Sequence, residues 1–305
     1  MNLKKAGSAL PLFLAALIWG LSFVAQSNGM EVVEAFTFNG VRTVVGALSL
    51  MPFAIRNCIK GGFSFKKKES RTLLIGGLLC GLCLFVAHNL QQFAFNYTTS
   101  GKIGFLTALY MIQVPILGLF LKKKTSPIVW FSVLIAAVGV FLLCVNGDLS
   151  SFGKGEILAL CCSFMFAVHI IVADKYSPLV DCISLSFLQF TVSGVLTCIC
   201  MFIFEEPVVS DILSITPEIL YAGVMTCGVA FTLQLIGQKN TDPTVASILL
   251  CLESVFSVIF GWIILDEALS PKEILGCVIM FIAIILTQLP ESLFKRSKKG
   301  SRLNG

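Results

Sequence analysis

The chain has 305 residues, of which 56% are hydrophobic and only 13% charged, with a formal net charge of +5 and a mean hydropathy of +0.92. Soluble domains carry about twice that charged fraction, so a water-soluble fold is excluded and lipid is the solvent for most of the chain. Apart from Arg42, the cations sit in connecting segments and the C-terminal tail; that placement suits membrane orientation and headgroup contact, not nucleic-acid binding.

A spanning helix needs about 20 mainly apolar residues. Blocks of that kind fall at 9–27, 34–55, 73–95, 103–121, 128–145, 156–173, 182–204, 218–237, 244–265 and 272–289. They predict an all-α integral membrane protein with ten transmembrane helices. Barrel strands would be shorter and would alternate apolar with polar residues, which these blocks do not. Lys4 and Lys5 before the first block would suit a signal peptide, but the block runs on through Trp19 and Phe23 without a small-residue cleavage site, so it is expected to be retained.

Polar residues inside the blocks are costly in lipid, about 2.5–3.5 kcal/mol for a central charge, so each needs a reason. In the first block Trp19, Ser22 and Gln26 share a stripe at three- and four-residue spacing. Arg42 lies eight residues into the second block, as a ligand for a substrate carboxylate or as a side chain snorkelling to the headgroups. The third carries His88, Asn89, Gln91 and Gln92, with His88 and Gln92 on one face. The fourth carries Tyr110 and Gln113, the sixth His169, and the eighth Gln234 and Gln238 at four-residue spacing. Each is read either as cavity lining or as an interhelical hydrogen bond. Glu253 lies nine residues into the ninth block, about 14 Å along a helix and so near the bilayer centre. It is the one acidic residue placed deep in a helix, and it is read as a carboxylate that binds a substrate amine or a proton, the alternative being a structural hydrogen bond to a neighbouring helix.

Charge placement orients the chain. With the N-terminus inside, eighteen cations fall in inner segments and three, Lys102, Lys154 and Lys272, in outer ones. Both termini are therefore expected in the cytoplasm. Nearly all of the 12 cysteines lie in apolar runs and act as small hydrophobes. Cys80-x-x-Cys83 has no second pair at metal-finger spacing, so neither a metal nor a cofactor is expected. Gly77 and Gly81, four residues apart, mark close helix packing.

The chain also repeats itself. At an offset of 143 residues the segment from Tyr97 aligns with that from Asn240, matching Thr98 with Thr241, Leu106 with Leu249, Leu109 with Leu252, Tyr110 with Glu253 and Gly118 with Gly261. Ser126-Pro127 then matches Ser270-Pro271 after one extra residue. Five spans per half is odd, so the second half should be inverted relative to the first, with Tyr110 and Glu253 facing each other across a central cavity. Inverted repeats about a midplane site are a transporter design.

The stretch from Asn96 through Thr107 to Leu109-Tyr110 resembles the EamA domain of the drug/metabolite transporter superfamily. So do Leu249 to Glu253 with Gly261-Trp262 and Asp266-Glu267-x-x-Ser270-Pro271, Leu17 to Phe23, and Asn39-x-x-Arg42. Met111 and Ser254 stand where that family often has proline. The resemblance implies two EamA repeats, 9–145 and 154–289, and a basic cytoplasmic tail, 290–305. It also implies transport of small metabolites, often amino-acid export.

Phosphate loops, metalloprotease pairs and nucleophile elbows are absent from the sequence, so it does not read as an enzyme. The leading expectation is a secondary transporter in the cytoplasmic membrane, exporting amino acids or related amphipathic solutes by alternating access. Protons or a counter-solute would drive it, and membrane lipids would surround it. Glu253, Tyr110, Trp19, His88, Gln92, His169, Gln234, Gln113 and Arg42 are the candidate substrate-binding residues. An enzyme acting on lipid or prenyl substrates, using Glu205-Glu206 or Asp266-Glu267, is the alternative; a non-transporting scaffold is a third.

Overall fold

The structure is a computed structural model, and it describes residues 3–61, 67–98, 100–123, 125–144, 153–265 and 270–288. The Asp266-Glu267 pair and the tail 290–305 lie outside the described residues. The described secondary structure is entirely helical: α1 Leu3–Met30, α2 Ala35–Gly61, α3 Lys68–Ala94, α4 Ser100–Ala108, α5 Tyr110–Phe120, α6 Pro127–Cys144, α7 Lys154–Tyr176, α8 Cys182–Phe204, α9 Val209–Ser214 and α10 Thr216–Leu220. A π-helical stretch, Tyr221–Ala230, leads into α11 Phe231–Gln238, followed by α12 Pro243–Leu250, α13 Leu252–Leu265 and α14 Pro271–Gln288.

Six stretches are long and apolar enough to cross a membrane: Ala9–Met30, Ala35–Gly61, Lys68–Ala94, Lys154–Leu179, Cys182–Phe204 and Thr216–Gln238. Shorter apolar helices cover Leu106–Phe120, Pro127–Gly139, Pro243–Ser257 and Ile274–Leu286. Large apolar side chains face outward from them, with Phe120 81%, Phe202 72% and Phe204 70% exposed. Such a surface is untenable in water; it belongs to a multi-pass membrane protein.

Several helices outrun their apolar blocks. α2 continues past Arg56 and Lys60 to Gly61, and α3 already begins at Lys68. Backbone hydrogen bonding carries a helix beyond the hydrocarbon, while long basic side chains hold their charges in the headgroup layer. The two segments matched by the internal repeat are each interrupted by one residue. Leu109 separates α4 from α5, and Cys251 separates α12 from α13. At both, the ladder shortens locally: the Leu109 amide donates to the Leu106 carbonyl at 3.3 Å, and the Ser254 amide to the Cys251 carbonyl at 3.1 Å.

α2 packs along α8 and the π-helical stretch, α3 along α7 and α8, α1 along α13, and α6 along α14. Small residues permit the closest approaches. A Cβ added to Gly223 would lie 2.8 Å from the Arg42 carbonyl oxygen, and one added to Gly46 would lie 2.8 Å from the Gly223 carbonyl oxygen. In lipid, where burial adds no drive between helices, backbone-to-backbone packing of this kind is what holds them together. Gly81 works in the same way against α8, where an added Cβ would lie 2.8 Å from the Gln189 carbonyl oxygen.

Polar clasps join the helix ends. The Glu205 carboxylate, just beyond α8, accepts the Phe36 amide at 2.8 Å, the Thr37 amide at 2.6 Å and the Thr37 hydroxyl at 2.8 Å. It thereby satisfies donors that the first turn of α2 leaves open, at the positive end of that helix. Asp181 likewise accepts the Ser184 amide at 2.7 Å at the start of α8 and the Asn57 side-chain amide at 3.0 Å.

Candidate functional site

The two interrupted segments cross at their breaks. The Cys251 thiol donates to the Ala108 carbonyl at 3.3 Å, and the Ser254 hydroxyl to the Gly104 carbonyl at 3.4 Å. Between these contacts the Tyr110 hydroxyl donates to the Glu253 carboxyl oxygen at 3.1 Å. These are the residues the 143-residue offset pairs, and both are buried. Both line an interhelical cavity, each beside the break in its own segment.

Five of the six long stretches and both broken segments contribute. α1 supplies Trp19, Ser22 and Gln26, the stripe legible in the sequence, and with them Phe23. α2 supplies Arg42, and α3 supplies His88 and Gln91. Thr107, Tyr110, Leu250 and Glu253 come from the broken segments. Phe166 and Ile170 come from α7, and Thr226, Phe231 and Gln234 from the π-helical stretch and α11.

Phe231 is the hub of an aromatic wall. Its ring centroid lies 4.7 Å from that of Trp19, 5.4 Å from His88 and 5.2 Å from Phe190. Several buried polar atoms on lining residues have no protein partner: Trp19 Nε1, His88 Nδ1, Arg42 Nη2, and the side-chain carbonyl oxygens of Gln26 and Gln234. An unpaired buried group costs about 1–3 kcal/mol. A cluster of them around one space is a recognition surface with few competing internal bonds.

Of the nine candidate residues, Glu253, Tyr110, Trp19, His88, Gln234 and Arg42 are brought to this wall. His169 is fully buried behind it, with Nε2 3.1 Å from the Gln189 side-chain oxygen and Phe231 beside its ring at 5.9 Å. Gln92 points toward α1, with its amide nitrogen 3.5 Å from the Gln26 carbonyl. Its neighbour Gln91 faces the cavity instead, donating to the Thr107 hydroxyl at 3.3 Å. Gln113 lies off the wall, and its buried side-chain oxygen has no protein partner. Arg42 does not snorkel: it is 1% exposed. Sequence reasoning passed over Thr107, Phe166, Thr226 and Phe231. Thr107 stands one turn before Tyr110, which is a usable signal; two phenylalanines among 26 carry none. Among the described residues there is no group of three His, Cys, Asp or Glu side chains placed to hold a metal ion.

A multi-pass helical protein with an amphipathic cavity between its helices, one carboxyl and one guanidinium on the wall, has the architecture that a membrane transporter requires. The EamA-like transporter family model matches the chain twice, over residues 7–145 and 153–289, and the chain belongs to that family. It is 28% identical over 294 residues to an uncharacterized transporter of Archaeoglobus fulgidus, covering 94% of this chain and 88% of that one. It is 24% identical to the uncharacterized inner membrane transporter YedA of Escherichia coli, covering 93% and 91%. With the uncharacterized transporter YoaV of Bacillus subtilis it shares 22% identity, covering 91% and 95%. A crystal structure described only as that of a protein superposes with a TM-score of 0.75 at 18% identity, covering 95% of this chain and 99% of that one. That likeness concerns the fold.

Proposed function

We propose that the protein is a secondary transporter of ten helices in two inverted five-helix repeats, exporting small amphipathic solutes such as amino acids across the cytoplasmic membrane by alternating access. Both termini lie in the cytoplasm, and protons or a counter-solute drive the cycle. The observation that carries this reading is the Tyr110–Glu253 hydrogen bond at the crossing of two interrupted helices. Residues 143 positions apart, one from each half, meet where both helices are broken. Broken helices at the interface of two repeats can rearrange without unwinding whole spans, and they expose polar groups at midplane depth.

Glu253 and Tyr110 receive the amine of the solute, the faces of Trp19 and Phe231 hold its apolar part, and Gln91 and Gln234 hydrogen-bond its polar edge. A cation over an aromatic face contributes about 0.5–2 kcal/mol as it is desolvated. Glu205, one of the carboxylates a lipid-directed enzyme would use, is taken up on the N-terminus of α2, which weighs against the enzymatic alternative. Purified protein in liposomes is expected to move a labelled amine-bearing metabolite, and Glu253→Gln is expected to slow it at least tenfold. A wild-type protein that moves nothing from a broad metabolite panel would refute the reading.

A further inference from the structure

α7 lies beside α3, with α4 and α5 along its flank. Its first turn meets the connection after α3, where the Thr98 hydroxyl donates to the Glu156 carboxylate at 2.7 Å. Its last turn meets the start of α3, where a Cβ added to Gly76 would lie 2.9 Å from the Tyr176 ring. At that second end the Lys123 ammonium, just past α5, donates to the Asp174 carboxylate of α7. In the orientation proposed above this is the cytoplasmic end. Arg42, near the start of α2, and His88 and Gln91, near the end of α3, line the cavity from the other half of the bundle.

The turn that delivers Lys123 is a costly one. α5 closes with the Lys122 amide donating to the Leu119 carbonyl and the Lys123 amide to the Gly118 carbonyl, both at 2.9 Å. Lys122 takes the left-handed position of this turn, with φ 58°, the one non-glycine residue at positive φ among the described residues. Glycine is the usual residue there, because a side chain crowds the following carbonyl. The turn reverses the chain and brings Lys123 onto α7. The break at Leu109 separates α5 from α4, and α4 is fastened independently by the Ser254 hydroxyl on the Gly104 carbonyl. A swing of α5 about Leu109 therefore leaves α4 in place, with Lys123 at the far end of the lever. The other half of the chain has no equivalent pair. Leu14-Ala15 falls on Leu158-Ala159 at an offset of 144 residues, which makes Met30 the mate of Asp174, and the 143-residue offset makes Asp266 the mate of Lys123. Methionine and aspartate form no ion pair.

We infer that the Lys123–Asp174 ion pair is a latch that holds α5 against α7 and keeps the cavity closed to the cytoplasm, and that α5 swings about Leu109 to open it. The inference rests on the transport reading for the orientation of the bundle. The two side chains are 40% and 18% exposed, so water screens the pair and its contribution is small. A contact of that size favours one state without locking it.

The reporter is Ile170→Cys, since Ile170 is buried, lines the cavity and stands one turn before Asp174 on α7. Full-length protein in membrane vesicles of each orientation is exposed to a charged, membrane-impermeant maleimide. The labelling rate at position 170 is read by peptide mass spectrometry, which separates it from the native cysteines. From the cytoplasmic face, Lys123→Ala and Asp174→Asn are each expected to raise that rate about threefold, and Asp174→Lys, which sets two cations together, about tenfold. The swap of Lys123→Asp with Asp174→Lys is expected to return the rate to within about 1.5-fold of the reporter alone, since the pair is restored with its charges exchanged. Lys175→Ala removes the neighbouring ammonium, which lies 5.4 Å from the Tyr176 ring centroid, and should leave the rate unchanged. An unchanged rate in the single variants overturns the latch. So does a swap that labels as fast as the single variants, a rise confined to the outer face, or an equal rise in Lys175→Ala. If Asp174→Lys does not fold, Lys123→Ala and Asp174→Asn decide. Labelling needs no solute, so the expected pattern in a protein that moves nothing in liposomes upholds the latch and refutes the transport reading.

Discussion

Glu205→Ala tests the clasp between the end of α8 and the start of α2. One carboxylate oxygen accepts the Phe36 amide and the other accepts the amide and hydroxyl of Thr37, all within 2.8 Å. Losing a capping acceptor costs about 0.5–2 kcal/mol, and a hydrogen bond to a charged group contributes about 1.5–3 kcal/mol. Glu205 is half-buried, so the released donors are partly rehydrated. The expected loss is then about 2 kcal/mol, which for a large domain is a fall in melting temperature of roughly 4–8 °C. Glu205→Gln keeps one acceptor oxygen and should recover about half of this. Glu206, exposed beside it, is the control. Thermal unfolding of the detergent-solubilised protein reads all three variants. If Glu205→Ala melts within about 1 °C of Glu206→Ala, the carboxylate is not carrying the helix terminus and the clasp is refuted.

Gly46→Val places new atoms against the Cys227 side chain and the Gly223 carbonyl, where a bare Cβ already falls at 2.5 and 2.8 Å; overpacking of this kind costs about 1–3 kcal/mol, whereas Gly61→Ala, with nothing within 4 Å of the added carbon, should leave the melting temperature unchanged. A phosphatase active only outside the cytoplasm should be active when fused after Glu206 and inactive when fused after Lys122 or Gly305; activity at Gly305 would reverse the orientation read from the loop charges.

The sequence by itself determined that the chain is helical and lives in lipid, because twenty-residue apolar blocks have no other stable backbone in a bilayer. It also paired Tyr110 with Glu253, since a repeat offset survives wherever the chain folds, and it marked Trp19, Ser22 and Gln26 as one stripe. The tertiary structure decided the rotation of each helix. In a membrane protein the lipid-facing and core-facing sides are both apolar, so periodicity does not say which side is which. The contact of Gly46 with Gly223 fixes α2, and with it turns Arg42 inward, away from the headgroups. The packing of α3 against α7 and α8 puts Gln91 on the cavity wall and Gln92 against α1. A π-helical stretch with no sequence period of its own carries Thr226 to that wall and leads into the helix that presents Phe231, with His169 left behind the ring. Those placements follow from which small residues let two backbones touch, and that depends on the neighbouring helix as much as on the helix itself.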